Sequence, residues 1–98
     1  MFDQPIRAGN RYITILARRN ELGYPRLGVI VSRRSAKLAV QRNRFKRLVR
    51  EDFRQRQHSL ANCDYIVLAK SGIATQTNQQ VNELLAQNWR RLQRQQES

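Results

Sequence analysis

The chain has little of several things, and each scarcity narrows what it can be. Cysteine occurs once among 98 residues, histidine once and tryptophan once, with two prolines and four glycines. A lone Cys63 allows neither an internal disulfide nor a cysteine-built zinc cage. No run of about 18 apolar residues occurs, so no segment can cross a membrane as a helix. The first residues lack the basic start and apolar stretch of a secretory leader. A reduced, cytoplasmic setting with no membrane partner is the expectation. The length predicts one domain over 1–98, with a single apolar seam rather than a deep core. Acids are scarce as well: 7 Asp and Glu stand against 19 Lys and Arg, a formal net charge of +12.

What is abundant is arginine, which supplies 16 of the 19 basic side chains. Arginine forks onto phosphate and stacks on bases, whereas lysine acts closer to a point charge. An excess this large repels itself and is kept when a polyanion neutralises it. Membrane-surface segments need a strong apolar face with large side chains toward lipid, so nucleic acid is the favoured partner. Position sharpens this. Arg33, Arg34, Lys37, Arg42, Arg44, Lys46, Arg47, Arg50, Arg54 and Arg56 all fall within 33–56, opposed only by Glu51 and Asp52. The charge is a patch and not a general coating.

Residues 1–10, with Pro5 and Gly9, read as polar and turn-like. Residues 11–18 carry β-branched Ile13, Thr14 and Ile15 and predict a strand. A loop follows through Gly23 and Pro25, then a second short apolar strand over 26–32. A hairpin between these two strands is the simplest expectation. Residues 33–37 form a basic linker in which Ser35 is a candidate helix N-cap. Residues 38–57 contain no Gly or Pro and predict one long helix. Residues 63–69 predict a third strand; its near-continuous apolar run suits a central or parallel strand covered on both faces. Gly72 lies in the next loop. Residues 78–95 place Val81, Leu84, Leu85, Trp89 and Leu92 at helical spacing. The order β-β-α-β-α predicts an α+β fold, one small sheet with helices packed on it, of the split βαβ kind.

The long helix holds the chemistry. At about 100° per residue, with Phe45 at zero, Leu48, Val49 and Phe53 share one apolar stripe. Arg42, Asn43, Arg44, Lys46, Arg47, Arg50 and Arg54 occupy the remaining arc. The like-charged pairs Arg42–Lys46, Lys46–Arg50 and Arg50–Arg54 each cost an isolated helix roughly 0.2–0.5 kcal/mol. A helix selected for stability alone would interleave glutamates.

These residues resemble the protein subunit of bacterial ribonuclease P. The likeness lies in Val31-Ser32-Arg33-Arg34, then Arg42-Asn43-Arg44-Phe45-Lys46-Arg47, then Arg50-Glu51 with Phe53-Arg54. It extends to Arg7-Ala8-Gly9 before a strand, Arg26-Leu27-Gly28, Asp64-Tyr65-Ile66-Val67, and a last helix with Leu84 and Trp89. The resemblance implies a protein that assembles with a large catalytic RNA to remove the 5′ leader from precursor tRNA. In that enzyme the RNA performs the hydrolysis with Mg²⁺ held mainly by RNA, and the protein supplies no catalytic side chain. It also implies a left-handed crossover through the basic helix, against the general rule, a fold type shared with a ribosomal-protein domain, and a monomer within the holoenzyme.

Carried onto this chain, the resemblance implies RNA contact by Arg42, Asn43, Arg44, Lys46, Arg47 and Arg50, with Arg33, Arg34 and Lys37 in the linker. It implies a cleft for the single-stranded leader, bordered by Phe2, Tyr12, Ser32, Arg42 and Lys46. Arg42, Lys46 and Arg50 flank the apolar stripe on one side, Arg44 on the other. The family has an aromatic pair near its start. Phe2 matches the second member, and the first, with the segment before it, is expected to be missing here. Tyr12 is either a substitute stacking platform or a packed strand aromatic.

Other residues are read more plainly. Asp52 falls near the apolar stripe and Glu51 at the helix edge, so they diverge and make a poor metal site with His58. His58 suits a helix C-terminus, and Cys63 a buried strand position. Trp89 fits the core. Arg90, Arg91 and Arg94 either extend the basic surface or are solvated. Two functions remain open at this point: the ribonucleoprotein subunit, and a non-catalytic RNA-binding protein of the ribosomal or chaperone type. A helix-turn-helix DNA reader fits less well, because no short helix precedes the basic one.

Overall fold

The computed structural model describes residues 4–97. Four strands, β1 (Ile6–Gly9), β2 (Ile13–Arg19), β3 (Arg26–Ile30) and β4 (Cys63–Ala69), make one sheet in the order β1-β2-β4-β3. Two long helices, α1 (Ala39–Arg56) and α2 (Asn78–Glu97), complete the α+β architecture. β1 pairs antiparallel with β2, and β2 antiparallel with β4, while β3 runs parallel to β4.

Three expectations about the strands are corrected. Residues 6–9 are a strand, not a turn: Asn10 closes a tight turn, its Oδ1 accepting from the backbone of Tyr12 and Ile13 at 3.3 and 3.0 Å. Polar composition hid a strand that sits at a sheet edge, where one face is open. The expected hairpin between β2 and β3 is also absent, because β4 inserts between them. A central β4 buries one face against the helices and gains partners on both sides. Its other face is not covered: Ile66 is exposed.

Strand alternation explains the layering. Ala8, Ile13, Ile15, Ala17, Cys63, Tyr65 and Val67 point to one side and are buried. Onto them α1 lays Phe45, Leu48, Val49 and Phe53, and α2 lays Val81, Leu85, Trp89 and Leu92. Phe53, Tyr65 and Trp89 meet at the centre, the last two edge-to-face with centroids 5.1 Å apart. Trp89 Nε1 donates to Asp52 Oδ2 at 2.8 Å, which ties α2 to α1. Trp89 and Cys63 are thus core residues, as the spacing suggested.

Ser35 does not cap α1. Leu38 occupies the cap, where its N–H donates to Gln41 Oε1 at 3.0 Å. The Ser35 hydroxyl instead donates to the Ala69 carbonyl at 2.9 Å and fastens the linker to the end of β4. α2 begins with a reciprocal cap: Gln80 N–H donates to Thr77 Oγ1 and Thr77 N–H to Gln80 Oε1. Gly72 adopts φ +91°, and a Cβ there would stand 2.9 Å from the Tyr12 ring. Only glycine serves both demands.

Candidate RNA interface

Burying the apolar stripe of α1 fixes where its other side chains go. α1 packs against both β3 and α2; helical spacing sets Arg42, Lys46 and Arg50 on one margin of the stripe and Arg44 on the other, where it reaches Asn78 at the start of α2. Asn43, Arg47, Arg50 and Arg54 are exposed, while Arg42, Arg44 and Lys46 are half-buried. Among the described residues two ion pairs occur, Arg56–Asp52 at 3.0 Å and Arg26–Asp64 at 2.7 Å. Of the basic groups on α1, only Arg56 is therefore matched by a described acid of this chain. Arg42, Arg44, Lys46, Arg47, Arg50 and Arg54 have no carboxylate partner among the described residues.

Two of these cations are nevertheless anchored. Arg42 Nη1 donates to the carbonyls of Ala36 and Lys37 at 2.9 and 3.0 Å. Arg44 donates through Nη1 to Asn78 Oδ1 at 2.7 Å and through Nη2 to the Gln76 and Ala74 carbonyls at 3.0 and 3.5 Å. These acceptors are neutral, so they position charge without cancelling it. In front of the helix, Ser32 and Ser35 build a compact turn: Ser35 and Ala36 N–H both donate to the Ser32 carbonyl. That turn presents Arg33, Arg34 and Lys37 to solvent. The linker cations are thus exposed immediately before the helix that carries the others.

Residue patterns alone did not reveal which side chains the sheet face away from the helices would carry. Strand register places Gly9, Thr14, Leu68 and Ile30 in one row, and Arg7, Leu16, Ile66 and Gly28 in the next. Ile30 and Ile66 remain 52% and 37% exposed. A third row is polar: Arg18, Asp64 and Arg26. The Arg26 guanidinium, with help from Asn20, holds the Asp64 carboxyl down to about 2. The signal for this face was present in the alternation of β2 and β4. It could be read only once β4 was known to lie between β2 and β3.

Tyr12 is half-buried, packed beside Gly72 with the Arg11 guanidinium 5.4 Å from its ring centre. Ser32 is exposed at the end of β3, and Phe2 lies outside the described residues. Asp52 and Glu51 do diverge: Asp52 is engaged by Arg56 and Trp89, and Glu51 is exposed. His58 sits exposed just after α1. No cluster of three or more His, Cys, Asp or Glu that could hold a metal ion occurs among the described residues. Among the described residues no helix is long and apolar enough to cross a membrane. Burial pushes the Cys63 thiol up and the Tyr65 hydroxyl up to about 12.

Comparison with known proteins agrees with this geometry. The chain is 50% identical to the ribonuclease P protein component of Salmonella arizonae and 52% identical to that of Cronobacter sakazakii. Each match spans 91 residues, 93% of this chain and 76% of the relative. The fold is similar to the ribonuclease P protein of Staphylococcus aureus, with a TM-score of 0.82 at 29% identity, covering 88% of this chain and 79% of that one. It is also similar to that of Thermotoga maritima, with a TM-score of 0.77 at 30% identity, covering 86% and 82%. The family model for Ribonuclease P spans residues 1–93. With a basic helix of the right sequence set on the right sheet, the chain belongs to the ribonuclease P protein family, the protein component of an endoribonuclease that matures tRNA.

Proposed function

We propose that this subunit docks on the catalytic RNA of ribonuclease P through the outward face of α1 and the linker before it. The contacting set is Arg42, Asn43, Lys46, Arg47 and Arg50 with Arg33, Arg34 and Lys37. The single-stranded 5′ leader of precursor tRNA lies along the uncovered sheet face, between Tyr12 and Ser32, with Arg42 and Lys46 at the α1 margin. The protein acts as a monomer within the holoenzyme, in the cytoplasm. One observation carries this reading: six cations on one helix have no carboxylate partner among the described residues. Each like-charged i,i+4 pair costs a few tenths of a kcal/mol, and a phosphate backbone repays that cost.

Hydrolysis of the phosphodiester needs Mg²⁺ to activate water and stabilise the leaving oxygen. The described side chains do not fit that task. Asp52 and Asp64 are already occupied by arginine, and no other described acids converge. The RNA holds the metal in this proposal, and the protein contributes electrostatics and shape.

Reconstitution tests it. Adding this chain to the catalytic RNA at low Mg²⁺ should stimulate precursor-tRNA cleavage, while the chain alone cleaves nothing. A ribosomal or chaperone-type RNA binder would bind RNA without that stimulation. Replacing Arg42 and Lys46 together should reduce stimulation far more than replacing Arg90 and Arg91. Equal losses would show that total charge matters and the arrangement does not.

A further inference from the structure

Arg44 belongs to the sequence signature that the resemblance assigns to RNA contact. Its guanidinium is spent elsewhere. Three of the fork's five N–H groups point at Asn78 Oδ1, the Gln76 carbonyl and the Ala74 carbonyl. All three acceptors belong to the segment that ends in the first residue of α2. We propose that Arg44 is a positioning residue: it pins the rotation of α1 about its own axis, so that Asn43 and Arg47 meet the RNA in register. This deepens the docking proposal above and rests on it.

The physical argument concerns what a greasy stripe can and cannot specify. Phe45, Leu48, Val49 and Phe53 hold α1 down but contact the core through non-directional forces. Hydrogen bonds are directional. α1 has them on both margins near its start. Arg42 is tied to the linker carbonyls on one side, and Arg44 to the α2 junction on the other. Asn43 and Arg47 lie between those margins and are exposed. With a helix radius of about 6 Å including side chains, a 10° roll moves an outward group by about 1 Å. Positioned polar contacts tolerate about 0.5 Å. Loss of the Arg44 strut therefore misplaces its neighbours without removing their charge.

The salt dependence of binding separates this from a phosphate contact. Each phosphate neutralised contributes about 0.7–0.9 to the slope of log affinity against log salt. Affinity for the catalytic RNA would be measured across a salt series for wild type, Arg44→Ala, Asn78→Ala and the double variant. Measurements are made where circular dichroism shows each protein fully folded. Asn78→Ala is the informative member, since it removes an acceptor of the strut and leaves the Arg44 charge in place. The expected result is a loss of about tenfold for Arg44→Ala and a smaller loss for Asn78→Ala. The slope should be that of wild type in both, and the double variant no worse than Arg44→Ala. A slope reduced by about 0.9 in Arg44→Ala, with Asn78→Ala unaffected, would make Arg44 a phosphate contact and overturn the proposal. Unchanged affinity in both folded variants would reduce Arg44 to a purely structural bond and also overturn it. Failure of wild type itself to bind with a steep salt slope would instead sink the docking proposal.

Discussion

Removing charge from the outward face of α1 should stabilise the free protein and weaken its RNA binding. Lys46, Arg47 and Arg50 make no side-chain hydrogen bond or ion pair among the described residues that their replacement would break. Replacing all three with glutamine keeps helix propensity nearly constant. It relieves like-charged neighbours at i,i+3 and i,i+4: Arg42–Lys46, Arg44–Arg47, Lys46–Arg50, Arg47–Arg50 and Arg50–Arg54. At roughly 0.2–0.5 kcal/mol each, these total about 1–2.5 kcal/mol at low salt. The weak attraction between the Arg47 and Glu51 charges one turn apart, which make no ion pair, is given up in exchange, leaving a net gain of about 1 kcal/mol. For a domain of this size that is a rise in Tm of about 4–8 °C. Screening should erase most of it near 1 M salt, where the Debye length is about 3 Å. Binding moves the other way. With three fewer phosphates neutralised, the salt slope for the catalytic RNA should flatten by about 2–3. Trp89, the sole tryptophan and fully within the core, reports unfolding by fluorescence, and filter binding across a salt series reports the slope. A variant that melts lower than wild type would show that these side chains serve the fold. A variant with an unchanged slope would show that they do not touch phosphate. Either result refutes the reasoning.

Four further outcomes follow from the geometry. Asp52 is 12% exposed and accepts from both Trp89 and Arg56; Asp52→Ala should cost about 2–3 kcal/mol in urea unfolding, and Asp52→Asn clearly less because an acceptor for Trp89 survives. Gly72→Ala forces a side chain into positive φ and onto the Tyr12 ring, so a loss of about 1–3 kcal/mol is expected in the same assay, and wild-type stability would rule the contact out. Asp64 is depressed to about 2 chiefly by its hydrogen bonds from Arg26. Its contribution is therefore complete above about pH 4 and lost as pH falls toward 2; Asp64→Asn should flatten the pH dependence of Tm in that window, and an unaltered profile would exclude the pair. Burial of Cys63 should make its reaction with a thiol reagent track global unfolding, whereas rapid modification of the native protein would contradict its placement.

Much of this protein was legible in its residues. The stripe of Phe45, Leu48, Val49 and Phe53 determined that α1 is a helix and which side turns inward, because helical period and burial are local properties. The same holds for α2 and β4, whose bounds lie within a few residues of those expected. The cationic character of the candidate site was equally legible, since so few acids occur near it. Pairing was not legible. The insertion of β4 between β2 and β3 depends on contacts between segments some 40–60 residues apart, to which a local pattern is blind, whereas β1 pairs with nearby β2 and was hidden by its short, polar sequence. That insertion created the uncovered sheet face. Arg44 shows the same limit in a single side chain. Composition and spacing established that it is a cation on the margin of a basic helix. Only the arrival of Gln76 and Asn78 beside it decided that its donors turn inward, because a hydrogen bond is chosen by the acceptor that tertiary packing brings within reach.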